Sequence, residues 1–426
     1  MKKPGQKLFF IASKISGKTK NIIPISLRWK IKERLLRKSM VDYLKKRKIG
    51  VVSGVYSQGV NLIGNIKAEM GLGQSCRLLA DMILKCGCQL SVYNTDTNNN
   101  VKKGDVSFDR YFSDELPYGV NIFHVNPAEL GKVFMLMPWA WEGRYNIAFW
   151  LWELEEFPVE WHAYCNLFDE IWVPSQFVAD SIRKITDVPV RVIPYNVTVS
   201  CEQDITRNDF GLPEDKFLFL IMFDVNSTLG RKNPLGAVRA FKQAFSPEDG
   251  SVGLVIKINN ADVKKAAMLK KELKDYGNVY LILETLKKER LNSLIECADV
   301  FVSLHRAEGF GLVMAEAMMS GTPCVATDWS ANVEFMDAES ACMVDYTLIK
   351  NPTDEGLYKK GCIWAEPDCG QAAAYMKRLA EDSEFYTLLQ ENGRKYIREK
   401  LGEKNTIDIL RREIDRIWAH TNTKQE

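Results

Sequence analysis

After about residue 50, short apolar runs alternate with stretches in which apolar residues recur every three or four positions. The short runs predict buried strands, and the longer periodic stretches predict amphipathic helices. The predicted strands include Val51–Val55, Val120–Val125, Glu170–Val173, Val190–Ile193, Phe217–Met222, Gly253–Ile258, Val279–Leu283, Val300–Ser303 and Cys324–Ala326. The predicted helices include Gln74–Lys85, Leu235–Phe245, Ala261–Tyr276 and Lys288–Cys297, with one or two more over Ser383–Trp418. Such alternation with short linkers is typical of parallel sheets covered on both faces, so we expect an α/β fold.

The pattern divides the chain into four parts. We expect a leader over residues 1–49, an N-terminal Rossmann-like domain over residues 50–205, a C-terminal one over residues 206–395, and a helix with a polar tail over residues 396–426. The junction lies in the polar segment Tyr195–Pro213, which ends in a Gly-Leu-Pro turn signal. Doubly wound domains bind ligands in the crevice outside the carboxyl ends of their strands. The loops that follow strands should therefore carry the function.

The leader is strongly basic. It holds 16 of the 57 Lys and Arg residues but only two of the 55 acidic residues, Glu33 and Asp42. The leader therefore has a net charge of +14 and the rest of the chain −12, although the whole chain sums to +2. Within it, Ser26–Lys48 has an apolar stripe among basic residues, which predicts a basic amphipathic helix. Such a helix binds an anionic membrane surface, or else packs its apolar stripe on the protein; a nucleic acid is the other anionic partner to consider.

Composition excludes several classes of protein. With 46% hydrophobic and 26% charged residues, the chain is that of a folded protein rather than a disordered one. Its ten cysteines include no C-x-x-C pair, and no apolar run is long enough for a signal peptide or a membrane span. We expect a cytoplasmic protein with reduced thiols.

The most informative motif covers residues 304–323, LHRAEGFGLVMAEAMMSGTP. A strand ends near Leu304, a glycine-rich turn follows, and a helix begins near Leu312. Free N–H groups at a helix start bind anions, and glycines let a ligand approach the backbone. Glu308 lies in the turn and Glu316 about one turn into the helix, where carboxylates can accept hydrogen bonds from sugar hydroxyls.

The spacing of these two glutamates, followed by Gly-Thr-Pro before a strand, resembles the E-x7-E signature of retaining glycosyltransferases of the GT-B fold, family 4 (group 1). The resemblance covers residues 50 to 400 and implies two facing Rossmann-like domains with a cleft between them. It implies that Glu308 holds the donor sugar and that Glu316 binds the nucleotide ribose. The N–H groups of Phe310, Gly311 and Leu312 would face the sugar and the diphosphate.

A second motif, DVNSTLGRKNP over residues 224–234, follows a predicted strand and precedes a helix. The adjacent Arg231 and Lys232 are placed to neutralise a diphosphate and to stabilise a departing nucleotide without a metal ion. The pair matches the Arg-Lys donor loop of the family. A solvated surface pair is the alternative for these two residues taken alone.

The remaining candidates rest more heavily on the resemblance. Gly71 and Gly73 open a predicted helix and would approach the donor phosphates, and His124 ends a strand where the family places a histidine that faces the donor sugar. A tight turn and a core histidine are the respective alternatives. Further donor-binding candidates, matched by position, are Lys257, Glu284 and Leu286 around the base, and Thr327 near the diphosphate or ribose.

Half of the ten tryptophans lie in an aromatic segment, residues 139–161, which also carries Glu153 and Glu155. These rings either stack on a sugar acceptor or pack in the core.

We therefore expect a retaining, metal-independent enzyme that moves a sugar from a nucleotide-diphosphate sugar to a glycan or lipid-linked glycan in polysaccharide biosynthesis. Residues 1–48 would bind the inner face of the cytoplasmic membrane, no nucleic acid would be bound, and no cofactor is expected. The sequence contains no D-x-D, the metal signature of GT-A transferases. The alternatives are a non-catalytic GT-B subunit that binds glycan or a partner transferase, and a GT-B nucleotide-sugar epimerase or hydrolase.

Overall fold

The computed structural model describes residues 49–96, 102–225, 227–260 and 271–422, together with Arg34, Lys38, residues 40–42 and Leu269. Most of the predicted leader helix and of the predicted helix Ala261–Tyr276 lies outside the described residues. No helix among the described residues is both long and apolar enough to cross a bilayer.

The first sheet is parallel and six-stranded. Its strands are β1 (Ser57–Gly64), β2 (Leu90–Asn94), β3 (Tyr118–His124), β4 (Tyr145–Phe149), β5 (Glu170–Val173) and β6 (Val190–Val192). Their spatial order is β2-β1-β3-β4-β5-β6. The first strand, β1, lies one strand in from an edge, and later strands are added on both sides of it, as in a doubly wound fold.

The second sheet repeats this plan. Its strands are β7 (Phe217–Asp224), β8 (Val252–Asn259), β9 (Val279–Ile282), β10 (Val300–Ser303), β11 (Cys324–Thr327) and β12 (Cys342–Val344), in the order β12-β11-β10-β7-β8-β9. A separate antiparallel hairpin, β13 (Tyr346–Lys350) and β14 (Ile363–Pro367), follows β12.

Helices connect and cover the strands. In chain order they are α1 (Gly71–Lys85), α2 (Pro127–Leu136), α3 (His162–Cys165), α4 (Gln176–Arg183), α5 (Leu229–Lys232), α6 (Pro234–Ala244), α7 (Lys288–Cys297), α8 (Leu312–Ser320), α9 (Cys369–Glu381), α10 (Ser383–Leu401) and α11 (Glu403–Asn422). Short 3-10 helices lie at Asp109–Tyr111, Pro138–Trp141, Val159–Trp161, Arg207–Phe210 and Ala331–Glu334. The two-domain α/β architecture expected from the alternation of strands and helices is confirmed.

One predicted strand is wrong. Val51–Val55 is irregular, and the first strand of the sheet is instead β1, whose sequence SQGVNLIG contains two glycines and a buried asparagine. Those residues interrupt the apolar run by which a strand is recognised.

The buried asparagine belongs to a polar ladder across three neighbouring strands. Asn61 of β1, Asn121 of β3 and Asn146 of β4 are in register, and each is inaccessible to solvent. The Asn61 amide donates to Asn121 Oδ1 at 2.9 Å, and the Asn121 amide donates to Asn146 Oδ1 at 2.9 Å and to the Ala140 carbonyl at 2.8 Å. These bonds satisfy amides that would otherwise be costly to bury, and they fix the strand register.

The last helix returns to the first domain. α11 packs on α1, and its Arg416 pairs with the buried Glu170 of β5 at 2.5 Å. The Trp418 ring packs so closely on Gly119 that an added Cβ would lie 2.9 Å from it. The C-terminal segment therefore fastens the second domain to the first. At the other end of the chain, Met40 is fully buried in the first domain, whereas Arg34 and Lys38 are exposed.

Asn121→Ala should destabilise the fold by about 2–4 kcal/mol, because it leaves Asn146 Oδ1 and the Ala140 carbonyl buried without their donor. Urea unfolding of the full chain measures this. Asn208→Ala is the matched control, since Asn208 is exposed. Equal losses of stability in the two variants would show that the ladder contributes nothing specific.

Candidate functional site

Two loops at the carboxyl edge of the second sheet bring three charged side chains together. One loop follows β7 and carries Arg231 and Lys232 in α5, and the other follows β10 and carries Glu308. Arg231 Nη1 lies 3.2 Å from Glu308 Oε1, and Lys232 Nζ pairs with the same oxygen. Because β7 and β10 are neighbours in the sheet, residues more than 70 positions apart in sequence meet here.

Backbone contacts hold the two loops in place. Arg231 Nη1 donates to the Ala307 carbonyl at 2.7 Å, and the N–H of Arg306 donates to the Arg231 carbonyl at 2.8 Å. The Asn233 amide donates to the Leu304 carbonyl at 2.9 Å. The position of Glu308 against its two cations is therefore set by the main chain as well as by charge.

The charge on Glu308 is strongly stabilised. Burial alone would raise the pKa of this carboxyl, but the positive charges of Lys232 and Arg231 outweigh it and lower the pKa from 4.5 to about 2. Glu308 is therefore ionised at neutral pH and can only accept hydrogen bonds, as expected of a group that holds sugar hydroxyls.

The glycine-rich turn after Glu308 touches the first domain. A Cβ added to Gly309 would lie 2.7 Å from the Trp152 carbonyl oxygen, and Ser175 Oγ donates to the Gly309 carbonyl at 2.7 Å. The Phe310 ring packs edge-on against Tyr195 with centroids 4.8 Å apart. Gly311 caps α8 with a φ of +93°, and Leu312 is the first residue of that helix. Glu308 thus lies where the two domains meet.

A second contact between the domains was not foreseen from the sequence. The Glu334 carboxylate accepts the N–H groups of Gln176 at 2.9 Å and of Phe177 at 2.8 Å, at the start of α4. A carboxylate at a helix N-terminus is favoured by the helix dipole. This residue therefore fastens the second domain to a helix of the first.

The predicted ribose-binding residue, Glu316, is nearly buried within α8. It pairs with Lys288 Nζ, at the start of α7, at 2.6 Å. A ribose that binds Glu316 would have to share or replace this contact. Lys288 had not been identified from the sequence.

The residues predicted to surround the base lie at the same edge of the second sheet. Lys257, on β8, is fully buried, and its ammonium group donates to Asn259 Oδ1 at 2.5 Å. Burial lowers the pKa of Lys257 to about 8, although Glu284 and Asp224 act in the opposite direction. Glu284 is exposed and Leu286 half-buried on the loop after β9.

Residues 202–396 match the family described as glycosyl transferases group 1. The matched residues span the second domain, whose sequence is similar to group 1 glycosyl transferases. The chain finds no match among curated protein sequences.

Solved structures of similar fold include glycosyltransferases. A sucrose-phosphate synthase from Thermosynechococcus elongatus aligns with 85% of this chain and all of its own at 16% identity, with a TM-score of 0.63. Anabaena HepE in complex with UDP and glucose aligns with 84% of this chain and all of its own at 12% identity, with a TM-score of 0.61. A mutant S. aureus TarM, solved with UDP and alpha-GlcNAc-glycerol, gives a TM-score of 0.52 at 14% identity over 69% of this chain. The chain spans 55% of that TarM structure. Together with the two sheets, these likenesses identify the fold as GT-B.

The predicted phosphate-binding glycines lie in the first domain, across the cleft from the second. Gly71 is exposed at the first position of α1, with open space where a Cβ would point. Gly73 is buried, and an added Cβ would lie 2.0 Å from the Ala68 carbonyl oxygen. Packing therefore accounts for Gly73 without a ligand, whereas Gly71 is free to approach one. Direct phosphate contacts by these glycines stay a prediction.

His124 lies inside the first domain. It is fully buried at the end of β3, its Nε2 lies 2.6 Å from Ser75 Oγ, and its ring stacks on Phe149 with centroids 5.0 Å apart. Burial lowers the pKa of His124 to about 4, so the ring is neutral at pH 7. Within the described residues it makes no contact with Arg231 or Glu308. Its predicted role at the donor sugar is therefore not supported by direct contact and stays a prediction.

Thr327, predicted near the diphosphate or ribose, is fully buried at the end of β11. Its hydroxyl donates to the His305 carbonyl at 2.7 Å, and its own carbonyl accepts the Asn332 amide at 3.0 Å. These bonds hold the loop that leads to Glu308 in place. Thr327 therefore supports the position of Glu308 within the second domain through that loop.

The ion pairs of Glu308 predict a pH dependence of stability. Because the pKa of this group is depressed from 4.5 to about 2 in the folded chain, its contribution is full above the unfolded value and is lost as the pH falls toward 2. Glu308→Gln should thus lower the free energy of unfolding by about 3 kcal/mol at pH 7. The difference from wild type should persist to pH 5 and shrink toward pH 3.

Urea unfolding between pH 3 and pH 7 measures this difference. Glu391→Gln, at an exposed position of α10, controls for the change of charge. A loss in Glu308→Gln that is the same at pH 3 as at pH 7 would assign the effect to packing rather than to charge.

Proposed function

We propose that the chain is a retaining glycosyltransferase that moves a sugar from a nucleoside-diphosphate sugar to a glycan or lipid-linked glycan during polysaccharide biosynthesis, without a metal ion. The observation that carries the proposal is the cluster of Arg231, Lys232 and Glu308 in a group 1 domain, at the edge that faces the other domain. The two cations can bind the phosphates of a nucleoside-diphosphate sugar, and the ionised carboxylate can accept hydrogen bonds from the hydroxyls of its sugar.

The donor would lie across the carboxyl edge of the second sheet. Its base would lie near Lys257, Glu284 and Leu286, and its ribose at Glu316. Its diphosphate would lie between the Arg231–Lys232 pair and the free N–H groups at the start of α8. The sugar would then reach Glu308. The solved structures that hold UDP and glucose, or UDP and a GlcNAc compound, show such ligands bound to proteins of similar fold.

The chemistry follows from charge. As the bond between the sugar and the diphosphate breaks, negative charge grows on the leaving oxygen, and Arg231 and Lys232 stabilise it. That oxygen takes the proton of the acceptor hydroxyl, which attacks on the same face and so retains the anomeric configuration. Glu308 orients the sugar hydroxyls. The two side-chain cations take the place that a divalent metal occupies in other transferases.

The contacts between the domains would protect the donor. Gly309 and Phe310 close against Trp152 and Tyr195, and Glu334 binds the start of α4. A closed cleft excludes water, which would otherwise hydrolyse the donor. Sugar transfer therefore requires opening and closing of this interface.

Lys232→Ala should reduce sugar transfer by about 100-fold or more, because it removes a charge that stabilises the leaving diphosphate. The donor is first found by thermal shift with a panel of UDP-, GDP-, ADP- and dTDP-sugars, since a ligand at 100 times its Kd stabilises the native state by about 2.7 kcal/mol. Release of nucleoside diphosphate is then measured with soluble glycan and lipid-linked acceptors.

Lys274→Ala, at an exposed position, is the matched control and should turn over like wild type. Turnover in Lys232→Ala close to that of wild type would refute the assignment. If no nucleotide or nucleotide sugar stabilises the wild-type chain, the donor site itself is refuted.

We also propose that residues 1–48 bind the protein to the inner face of the cytoplasmic membrane, where lipid-linked glycans are assembled. The surplus of Lys and Arg in this segment supports attraction to anionic lipids, each residue near the surface contributing about 1 kcal/mol. The burial of Met40 in the first domain supports docking of the end of the segment on the protein. The membrane-binding part is then the region before it.

Removal of residues 1–33, which carry nine Lys and Arg residues and one acid, should weaken binding to phosphatidylglycerol vesicles at least about tenfold. Vesicle co-sedimentation measures this, with phosphatidylcholine vesicles as the control for charge. The truncated chain keeps Met40 and should unfold at the wild-type temperature. If it stays bound to anionic vesicles, the membrane proposal fails.

A further inference from the structure

The hairpin β13–β14 extends from the second domain across the cleft. It lies between β12 and α9, and residues 351–362 form its tip. At the tip, the Tyr358 ring stacks on Trp152 of the first domain, with centroids 5.7 Å apart and planes 25° apart. Glu355, near it, accepts the N–H of Gly230 at 3.2 Å. The hairpin therefore touches both the aromatic segment and the loop that carries Arg231.

Between these elements lies a carboxylate of the first domain. Glu153 Oε1 is 3.6 Å from Arg231 Nη2, and the Tyr358 hydroxyl lies beside the Glu153 carboxylate. The Tyr358 ring covers the guanidinium at 5.7 Å. Glu308 holds Nη1 of the same guanidinium, so both terminal nitrogens of Arg231 face a carboxylate.

The charges at this point cancel. Arg231 and Lys232 supply two positive charges, and Glu308 and Glu153 supply two negative ones. A diphosphate brings further negative charge and needs the Nη2 edge that Glu153 occupies. Glu153 and a diphosphate therefore compete for Arg231, and the repulsion between them disfavours simultaneous binding.

Glu153 is suited to leave, whereas Glu308 is not. The side chain of Glu153 is 23% exposed and its contact with Arg231 is the longer one, whereas that of Glu308 is 11% exposed and shared by two cations. The main chain beside Glu153 is fixed, because Asn126 Oδ1 accepts the N–H of Leu151 at 3.0 Å. Release then requires only a rotation of the Glu153 side chain toward solvent.

We propose that Glu153 is an autoinhibitory carboxylate that occupies the diphosphate-binding edge of Arg231 until a nucleoside diphosphate displaces it. The inference rests on the proposed donor site. The contact between Glu153 and Arg231 would form only while the diphosphate is absent. This contact between the domains therefore depends on whether the donor site of the second domain is filled. Tyr358 holds the carboxylate in the inhibitory position.

Inorganic pyrophosphate and UDP are suitable probes, because both contain a diphosphate. Pyrophosphate has no nucleoside and so tests the diphosphate site without a base pocket. Calorimetric titration of the full chain should give a Kd for pyrophosphate about fivefold or more lower in Glu153→Gln than in wild type. Tyr358→Phe, which keeps the ring on Trp152 but frees the carboxylate, should show a smaller gain.

Glu156→Gln is the matched control. It makes the same change of charge three positions away at an exposed side chain and should bind pyrophosphate like wild type. Adding Arg231→Ala to Glu153→Gln should abolish the gain, since the competition takes place at that guanidinium. Thermal unfolding confirms that each variant is folded.

If wild type binds pyrophosphate or UDP and Glu153→Gln binds no more tightly, the autoinhibitory role is refuted and the proposed donor site stands. A gain of the same size in Glu156→Gln also refutes it, because general charge then explains the effect. If no variant binds either probe, the donor site is refuted and the autoinhibitory role with it.

Discussion

The burial of one carboxylate between two cations is the constraint on which the rest of the structure depends. Taking Glu308, Arg231 and Lys232 out of water is expensive, and mutual attraction offsets that cost only when the geometry is held closely. The structure meets this requirement with main-chain contacts from Ala307 and Arg306, which join the loops after β7 and β10. The adjacency of those two strands in the second sheet is therefore what makes the charged cluster possible.

The same cluster explains why the two domains meet where they do. An ion pair that is exposed to water at a sheet edge contributes little, and the surface that excludes water from this cluster comes from the first domain. Gly309 allows the main chain of Trp152 to approach directly, and Glu334 adds a charged contact to α4. The hairpin that carries Tyr358 covers the remaining side. The contacts that close the cleft are thus the same contacts that keep water away from the charged cluster.

Local patterns in the sequence were sufficient for the architecture but not for these contacts. Strands with continuous apolar runs, such as β7 and β10, can be recognised from the sequence. β1 cannot, because it contains Asn61, whose burial is possible only through hydrogen bonds to β3, which is distant in sequence. Likewise Glu308, Arg231 and Lys232 stand in recognisable local motifs. Lys288 and Glu334 do not, since the role of each depends on a partner that only the folded chain supplies. The sequence likewise placed Glu153 only within the aromatic segment, because its contact with Arg231 forms between the two domains of the folded chain.

The protonation states at the site bear on the path of the acceptor proton. A general base for neutral pH needs a pKa near 7 and access to the acceptor. His124 is neutral but fully buried, with its Nε2 held by Ser75, and Glu308 has a pKa of about 2 and is bound by two cations. Neither is suited to remove a proton. In the proposed reaction, the leaving diphosphate oxygen gains charge as the sugar departs and lies on the face from which the sugar left, so it would be placed to take the acceptor proton. A same-face, retaining course is therefore proposed for the reaction.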